Sequence, residues 1–451
     1  MAKPRSPFVY FTSLTLTNVK SFGLTQYLSL SDKSGRPARW TLLVGDNGVG
    51  KTTLLQCLAL LRPQLSTEPG APDDKSPDFV KPALAASEND AILALARMGA
   101  QNVSLVAELV RGRRLSGAGG SPKRFQTYAR IQMKPGQRDF SSFEVSEERL
   151  PGFRIPLVVG YSAARHMHYR SGDIPRSSEN PTESLFDPSI ELVDAEEILQ
   201  WLDYAGLKGS ASAKRLLRRL KEALARILPD LSSADDVVLG TPATPGKANV
   251  SSGVRVKTPY GLVPVGALSL GYQTVTAWTV DLAWKLFEAY PRSKDPLQEP
   301  AIVLIDEIDL HLHPVWQRSI KEIVTDFFPQ IQFVATAHSP LMAQSFLDEN
   351  IVVLKRKHDH VEIESDPAVV EAWRVDEILT SDLFGLTSAY PPKIDKLLKE
   401  RKYLSMLPHR SHAQNARLQE LQKEIQALPT ENSQADQAAL DRLRKAARAV
   451  S

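Results

Sequence analysis

Gly45-Asp46-Asn47-Gly48-Val49-Gly50-Lys51-Thr52-Thr53 stands between a short apolar run, Trp40–Val44, and a helical pattern from Thr52 to Leu61. That strand–loop–helix setting separates a phosphate loop from a chance glycine turn. Glycines let successive main-chain N–H groups curl around phosphate oxygens, and the helix N-terminus adds a favourable dipole. In such a loop the ammonium of Lys51 reaches the outer phosphates of a nucleotide, and the hydroxyl of Thr52 is a ligand for Mg²⁺. The pattern therefore implies two small ligands, ATP and Mg²⁺.

Working outward, three further elements follow in a fixed order. Ile302-Val303-Leu304-Ile305-Asp306-Glu307 is an apolar run ending in two carboxylates, as expected of a parallel strand covered on both faces. The C-terminal ends of such strands are where doubly wound sheets hold ligands. Asp306 is the candidate metal ligand, and Glu307 the candidate general base that activates water. A second apolar strand, Ile331–Ala335, leads to His338-Ser339-Pro340, where an imidazole can sense the terminal phosphate. Leu268-Ser269-Leu270-Gly271-Tyr272-Gln273 precedes a helix over 272–288. Ser269 there is either a simple N-cap or part of an anion site.

Spacing narrows the class. Between Lys51 and Asp306 lie 255 positions (306 − 51), whereas small GTPases and most ring-forming ATPases place the acidic strand within several tens of residues. Composition is that of an ordinary globular protein: 451 residues, 42% hydrophobic and 24% charged. That length allows roughly two or three domains of about 150 residues. A net charge of +3 gives no global polyanion-binding signature. No apolar run approaches the roughly 18 residues of a membrane helix, so the expected location is cytoplasmic. The single cysteine, Cys57, excludes an internal disulfide and reads as a small buried hydrophobe.

The chain divides on pattern into 1–187, a lobe carrying the phosphate loop; 188–239, a helical insertion; 240–390, a lobe carrying Ser269, Asp306 and His338; and 391–451, a helical hairpin broken at Pro429. Strands are expected over 8–19, 102–110, 125–133 and 155–159. Val254–Lys257 and Leu262–Val265 should form a hairpin. Residues 62–82, with five prolines, read as a loop or insertion, and 111–124 as a mobile hairpin tip. The stretch Lys214–Arg226 predicts an amphipathic helix whose basic face is solvated or meets a phosphate backbone. His358-Asp359-His360 has metal-ligand residue types but reads as a solvated turn.

Taken together these elements resemble the ABC-type ATPases of the RecF, structural-maintenance-of-chromosomes and overcoming-lysogenization-defect group, and within it the Septu defence ATPases of the PtuA family. The resemblance is carried by Asn18-Val19-Lys20-Ser21-Phe22, Val44–Leu55, Leu268–Thr274, Ile302–Pro314, Thr336–Pro340 and Trp373–Gly385. It implies an α/β fold, a two-lobed head with a mixed sheet core. It also implies head-to-tail pairing of two copies, in which Ser269 and Gly271 complete the partner's nucleotide site. His311, His313 and Pro314 fall in a loop that faces the partner. A contact from a glutamine loop to Mg²⁺ is expected from either Gln132 or Tyr161–Arg165. A separate effector nuclease, of HNH type, is the implied partner. Leu270 stands where transporters usually carry glycine, and no long coiled-coil arms separate Gly50 from Ser269. The rival readings are a DNA-clamping repair ATPase of RecF type and a self-sufficient nuclease.

Overall fold

The computed structural model describes residues 8–66, 79–86, 93–112, 123–134, 140–150, 153–165, 177–228, 231–240, 253–346, 348–365, 374–381, 384, 388 and 390–426. Strands β1 (Phe8–Thr17), β2 (Gln26–Ser29) and β3 (Trp40–Gly45) lead into helix α1 (Lys51–Leu60). Strands β4 (Pro63–Ser66), β5 (Phe79–Pro82), β6 (Asn102–Gly112), β7 (Lys123–Met133), β8 (Phe140–Val145), β9 (Glu148–Arg149) and β10 (Leu157–Tyr161) follow. Helices α2 (Ala195–Leu207) and α3 (Ala211–Ile227) precede β11 (Val237–Leu239), β12 (Val254–Thr258) and β13 (Gly261–Pro264). Then come α4 (Leu270–Ala289), β14 (Ala301–Ile305), α5 (Pro314–Phe327), β15 (Ile331–Ala337), α6 (Pro340–Ser345), β16 (Asn350–Lys357), β17 (His360–Ser365) and α7 (Val375–Thr380). Residues up to Phe384 form one compact unit. A second begins at Gly385 and contains α8 (Pro392–Met406) and α9 (His412–Gln426).

A six-stranded sheet in the order β10-β14-β15-β3-β16-β17 forms the centre of the first unit. All neighbours are parallel except β16 and β17. Successive side chains of a strand face opposite ways, so each strand feeds two cores. Leu43, Ile302, Leu304, Val334 and Val352 pack with α1 and an antiparallel sheet, β2-β1-β6-β7-β8. Leu42, Val44, Val303, Ile305, Phe333 and Ala335 pack with α2, α3, α4 and α5. The result is a mixed α/β fold whose central sheet is covered on both faces. Gln332, fully buried in β15, ties the two sheets together. Its amide accepts from Phe11 N–H at 2.9 Å and donates to Phe11 O at 2.8 Å, which removes the penalty of a polar group in an apolar strand.

Three expectations change and a fourth, the hairpin at 111–124, holds. Residues 62–82 are not simply loop: β4 and β5 pair antiparallel, with Pro63 opposite Pro82 at one end, where a missing N–H costs least. The helical insertion starts at Ala195, because Pro188 disfavours an earlier start and the Asp194 carboxylate caps Glu196 N–H at 2.7 Å. The C-terminal hairpin turns at 407–411, around Pro408, while Pro429 lies outside the described residues. The 111–124 link is a β6–β7 hairpin in register to Arg111–Lys123, and 113–122 lie outside the described residues.

Candidate functional site

The parallel strands bring their C-terminal ends into one row, and the predicted residues meet there. The Thr52 hydroxyl donates to Asp306 Oδ2 at 2.8 Å, closing 254 positions of sequence in one contact. Lys51 is buried in the loop, donating to Gly45 O at 2.7 Å and Asp46 O at 2.9 Å. Burial lowers its pKa, opposed by Asp306, Glu307, Asp309 and Asp46. Asn47 is exposed, Gly48 has φ 75°, Val49 is fully buried and Thr53 is buried within α1.

Gly50 has φ 98°, and a Cβ there would lie 2.6 Å from Ser21 Oγ. Ser21 in turn donates to Val49 O at 3.1 Å, so the Asn18–Phe22 motif is packed directly beneath the phosphate loop. Cys57, on α1, is fully buried and its thiol is pushed up to about 12, which keeps it protonated and inert.

Beyond Asp306 the main chain is strained. Glu307 has φ 48°, a left-handed conformation that costs a non-glycine residue on the order of 1–3 kcal/mol. Both of its main-chain polar groups are held: its N–H donates to Thr336 Oγ1 at 2.7 Å, and its carbonyl accepts from Arg165 Nη2 at 2.7 Å. The carboxylate of Glu307 lies 3.9 Å from His338 Nε2, with both side chains about one-third exposed. Asp309 Oδ2 accepts from the His338 main-chain N–H at 3.0 Å. Acidic pair and histidine are therefore one cluster.

Thr336 has no assigned role in the sequence reading, yet its hydroxyl accepts from Glu307 N–H and donates to Asp306 Oδ1 at 2.7 Å. The signal available was a hydroxyl at the end of an otherwise apolar strand. Thr336→Val keeps the shape and strands two polar groups, so it is expected to lower unfolding stability by about 1–3 kcal/mol. Urea denaturation measures this, and an unchanged midpoint would remove Thr336 from the cluster.

Of the two glutamine-loop candidates, Gln132 sits on β7 opposite Asn102 and Ser142, in the antiparallel sheet. Tyr161 ends β10 beside β14, and its carbonyl accepts from Asp306 N–H at 2.9 Å. The 161–165 stretch thus reaches the cluster, and it contains no glutamine. Behind it is a buried polar group: Tyr161 Oη donates to Asp281 Oδ2 at 2.7 Å, and Lys285 Nζ pairs with the same oxygen. Burial, then Asp281, raises the Tyr161 pKa.

Ser269 is the N-cap of α4 but makes no side-chain capping bond, and it is exposed. Its neighbour Gly271 is buried against the loop that follows Glu307: a Cβ there would lie 2.2 Å from His311 O. Tyr272 meets Trp316 edge-on at 4.3 Å. His311 has φ 64°, and His313 caps α5 at the step into Pro314. Leu270 and Val315 remain 52% and 64% exposed on this surface.

The other candidates are quieter. On α3, Arg218, Arg219 and Arg226 each pair with a carboxylate, Glu222 at 3.7 Å, Asp295 at 4.0 Å and Asp326 at 2.8 Å. His358 and Asp359 form the β16–β17 turn, where Arg97 pairs with Asp359 at 3.0 Å.

Fold and site together are those of a phosphate-loop ATPase. A family model described as "AAA domain, putative AbiEii toxin, Type IV TA system" matches residues 279–343, which carry β14, β15 and His338. The sequence is PtuA-like over most of its length. It is 26% identical to "Septu protein PtuA" of Bacillus mycoides (strain KBAB4) over 412 residues, 88% of this chain and 47% of that one. It is also 26% identical to "Retron Ec83 probable ATPase" of Escherichia coli over 427 residues, 81% of this chain and 75% of the relative. The chain thus spans about half of the Septu relative. Among solved structures, "SMC head domain from Thermotoga maritima" aligns with 80% of this chain and 100% of its own, at 13% identity and a TM-score of 0.40. No helix among the described residues is long and apolar enough to cross a membrane.

Proposed function

We propose that this chain hydrolyses ATP as one half of a head-to-tail pair and uses the cycle to control a separate effector nuclease in defence against phage. The observation that carries the reading is the convergence of Thr52, Asp306, Glu307 and His338 at one row of strand ends. Asp306 and the Thr52 hydroxyl are hard oxygen donors 2.8 Å apart, as a Mg²⁺ site requires. Buried polar atoms without partners among the described residues, at Ser162, Arg165 and Asp309, fit a site that takes polar ligands.

The roles follow from position. The main-chain N–H groups of Gly45–Lys51 bind phosphate, with Asp46, Asn47, Gly48, Val49, Gly50 and Thr53 shaping the loop. Mg²⁺, when bound, neutralises developing phosphate charge. Glu307 takes the proton of the attacking water, and His338, facing it, hydrogen-bonds the terminal phosphate. Ser269 keeps its hydroxyl unspent at an exposed helix N-terminus, which supports its use by a second copy. The effector and its HNH type are what the resemblance to the Septu ATPases implies. The domain division at 187, 239 and 390 belongs to this reading. The paired α3 arginines argue for it over a DNA clamp.

Complementation tests the pair. Lys51→Ala and Ser269→Arg chains are each expected to lose ATP hydrolysis. Mixed, they should regain about one quarter of the parental rate, since half of the pairs are mixed and each holds one intact site. Phosphate release without any recovery on mixing, given that each variant is folded, would sink the paired site.

A further inference from the structure

One cation at the site has no part in the chemistry above. Arg165, four residues after β10, has φ 31° and is 4% exposed. Burial pulls its guanidinium down to about 10, opposed by Asp306, Asp309 and Glu307, so it is cationic through the neutral range. Among the described residues only Nη2 is used, on the Glu307 carbonyl at 2.7 Å. Nε and Nη1 are buried and lack a hydrogen-bond partner among the described residues. Guanidinium donors without an acceptor in a buried site are unfavourable until one arrives.

Position says which acceptor. Asp306 already meets Thr52, and Glu307 lies one residue further along the same chain, facing His338. Arg165 is thus bonded to the residue that would act at the last phosphate of a nucleotide, which makes that phosphate the acceptor within its reach. We propose that Arg165 discriminates a nucleoside triphosphate from a diphosphate: Nη2 holds Glu307 in its left-handed conformation while a remaining guanidinium N–H donates to the terminal phosphate. This rests on the ATPase reading. It gives an arginine of the 161–165 stretch a part at the site, and it couples recognition of the third phosphate to the placement of the base. Arg165 is bound to the main chain of Glu307, not to its carboxylate, so it sets where the carboxylate stands without competing for its proton.

Equilibrium binding with Mg²⁺ tests it, using ADP and an ATP analogue with an imido bridge between its last two phosphates. The full chain is compared with Arg165→Gln and Arg165→Lys, each checked for folding by its melting curve without nucleotide. Loss of a charge-assisted hydrogen bond should weaken the triphosphate analogue about 10- to 100-fold in Arg165→Gln and leave ADP within about 3-fold. Arg165→Lys keeps the charge without the fork and should recover only part of the preference. Equal weakening for both nucleotides, or none in either variant, overturns the inference and leaves the ATPase reading standing. Should Arg165→Gln fail to fold, full preference in Arg165→Lys would overturn it alone. A parental chain that binds neither nucleotide overturns both readings.

Discussion

Glu307→Gln is expected to slow ATP hydrolysis by about 10²–10⁴-fold, the usual contribution of a positioned general base, while ATP binding persists. The variant should therefore accumulate as an ATP-bound pair, seen as a doubling of mass by light scattering when ATP and Mg²⁺ are added. The geometry makes this a clean substitution. Both main-chain groups of Glu307 are held, by Thr336 and Arg165, so the left-handed backbone does not depend on the carboxylate. Glutamine fills the same volume and accepts no proton. Hydrolysis at the parental rate would place the base elsewhere, and a chain that stays monomeric with ATP would remove the reason for Ser269.

The largest stability effect is expected at Asp281, fully buried on α4 and bonded to Tyr161 and Lys285. Asp281→Ala leaves the Lys285 ammonium buried and unpaired, a loss of about 3–5 kcal/mol. Replacing both partners, Asp281→Leu with Lys285→Met, should restore most of it, because an apolar pair removes the uncompensated charge. Guanidinium denaturation of the three chains decides the matter. A double variant as unstable as the single one would show that packing, not the ion pair, sets the cost.

Asp281 also illustrates what the sequence hides. Four residues before Lys285, it reads as one half of a solvent-facing helix pair, yet α4 is buried along nearly its whole length. The phosphate loop, the acidic strand and the hairpin at 254–265 were legible because their local chemistry and their tertiary role coincide. The phosphate loop needs its glycines, and the strand needs apolar residues on both faces. Thr336 was not assigned, and Arg165 was named only as the end of a candidate stretch, because their partners, the main chain of Glu307 and the side chain of Asp306, are distant in sequence. Pro63 and Pro82 misled for the converse reason: they are local signals of irregular chain that a strand end tolerates. Pro408 was passed over for Pro429, since periodicity in a polar helix gives little contrast.

The closeness of Gly271 to the His311 carbonyl has a consequence for how such proteins diverge. Position 271 is closed to every side chain by a carbonyl 2.2 Å from where a Cβ would stand, whereas Leu270 and Val315 beside it project outward. In a head-to-tail pair, drift can thus alter those flanking residues and leave the chemistry untouched. Two related copies in one cell could in this way become insulated, each recognising its own kind.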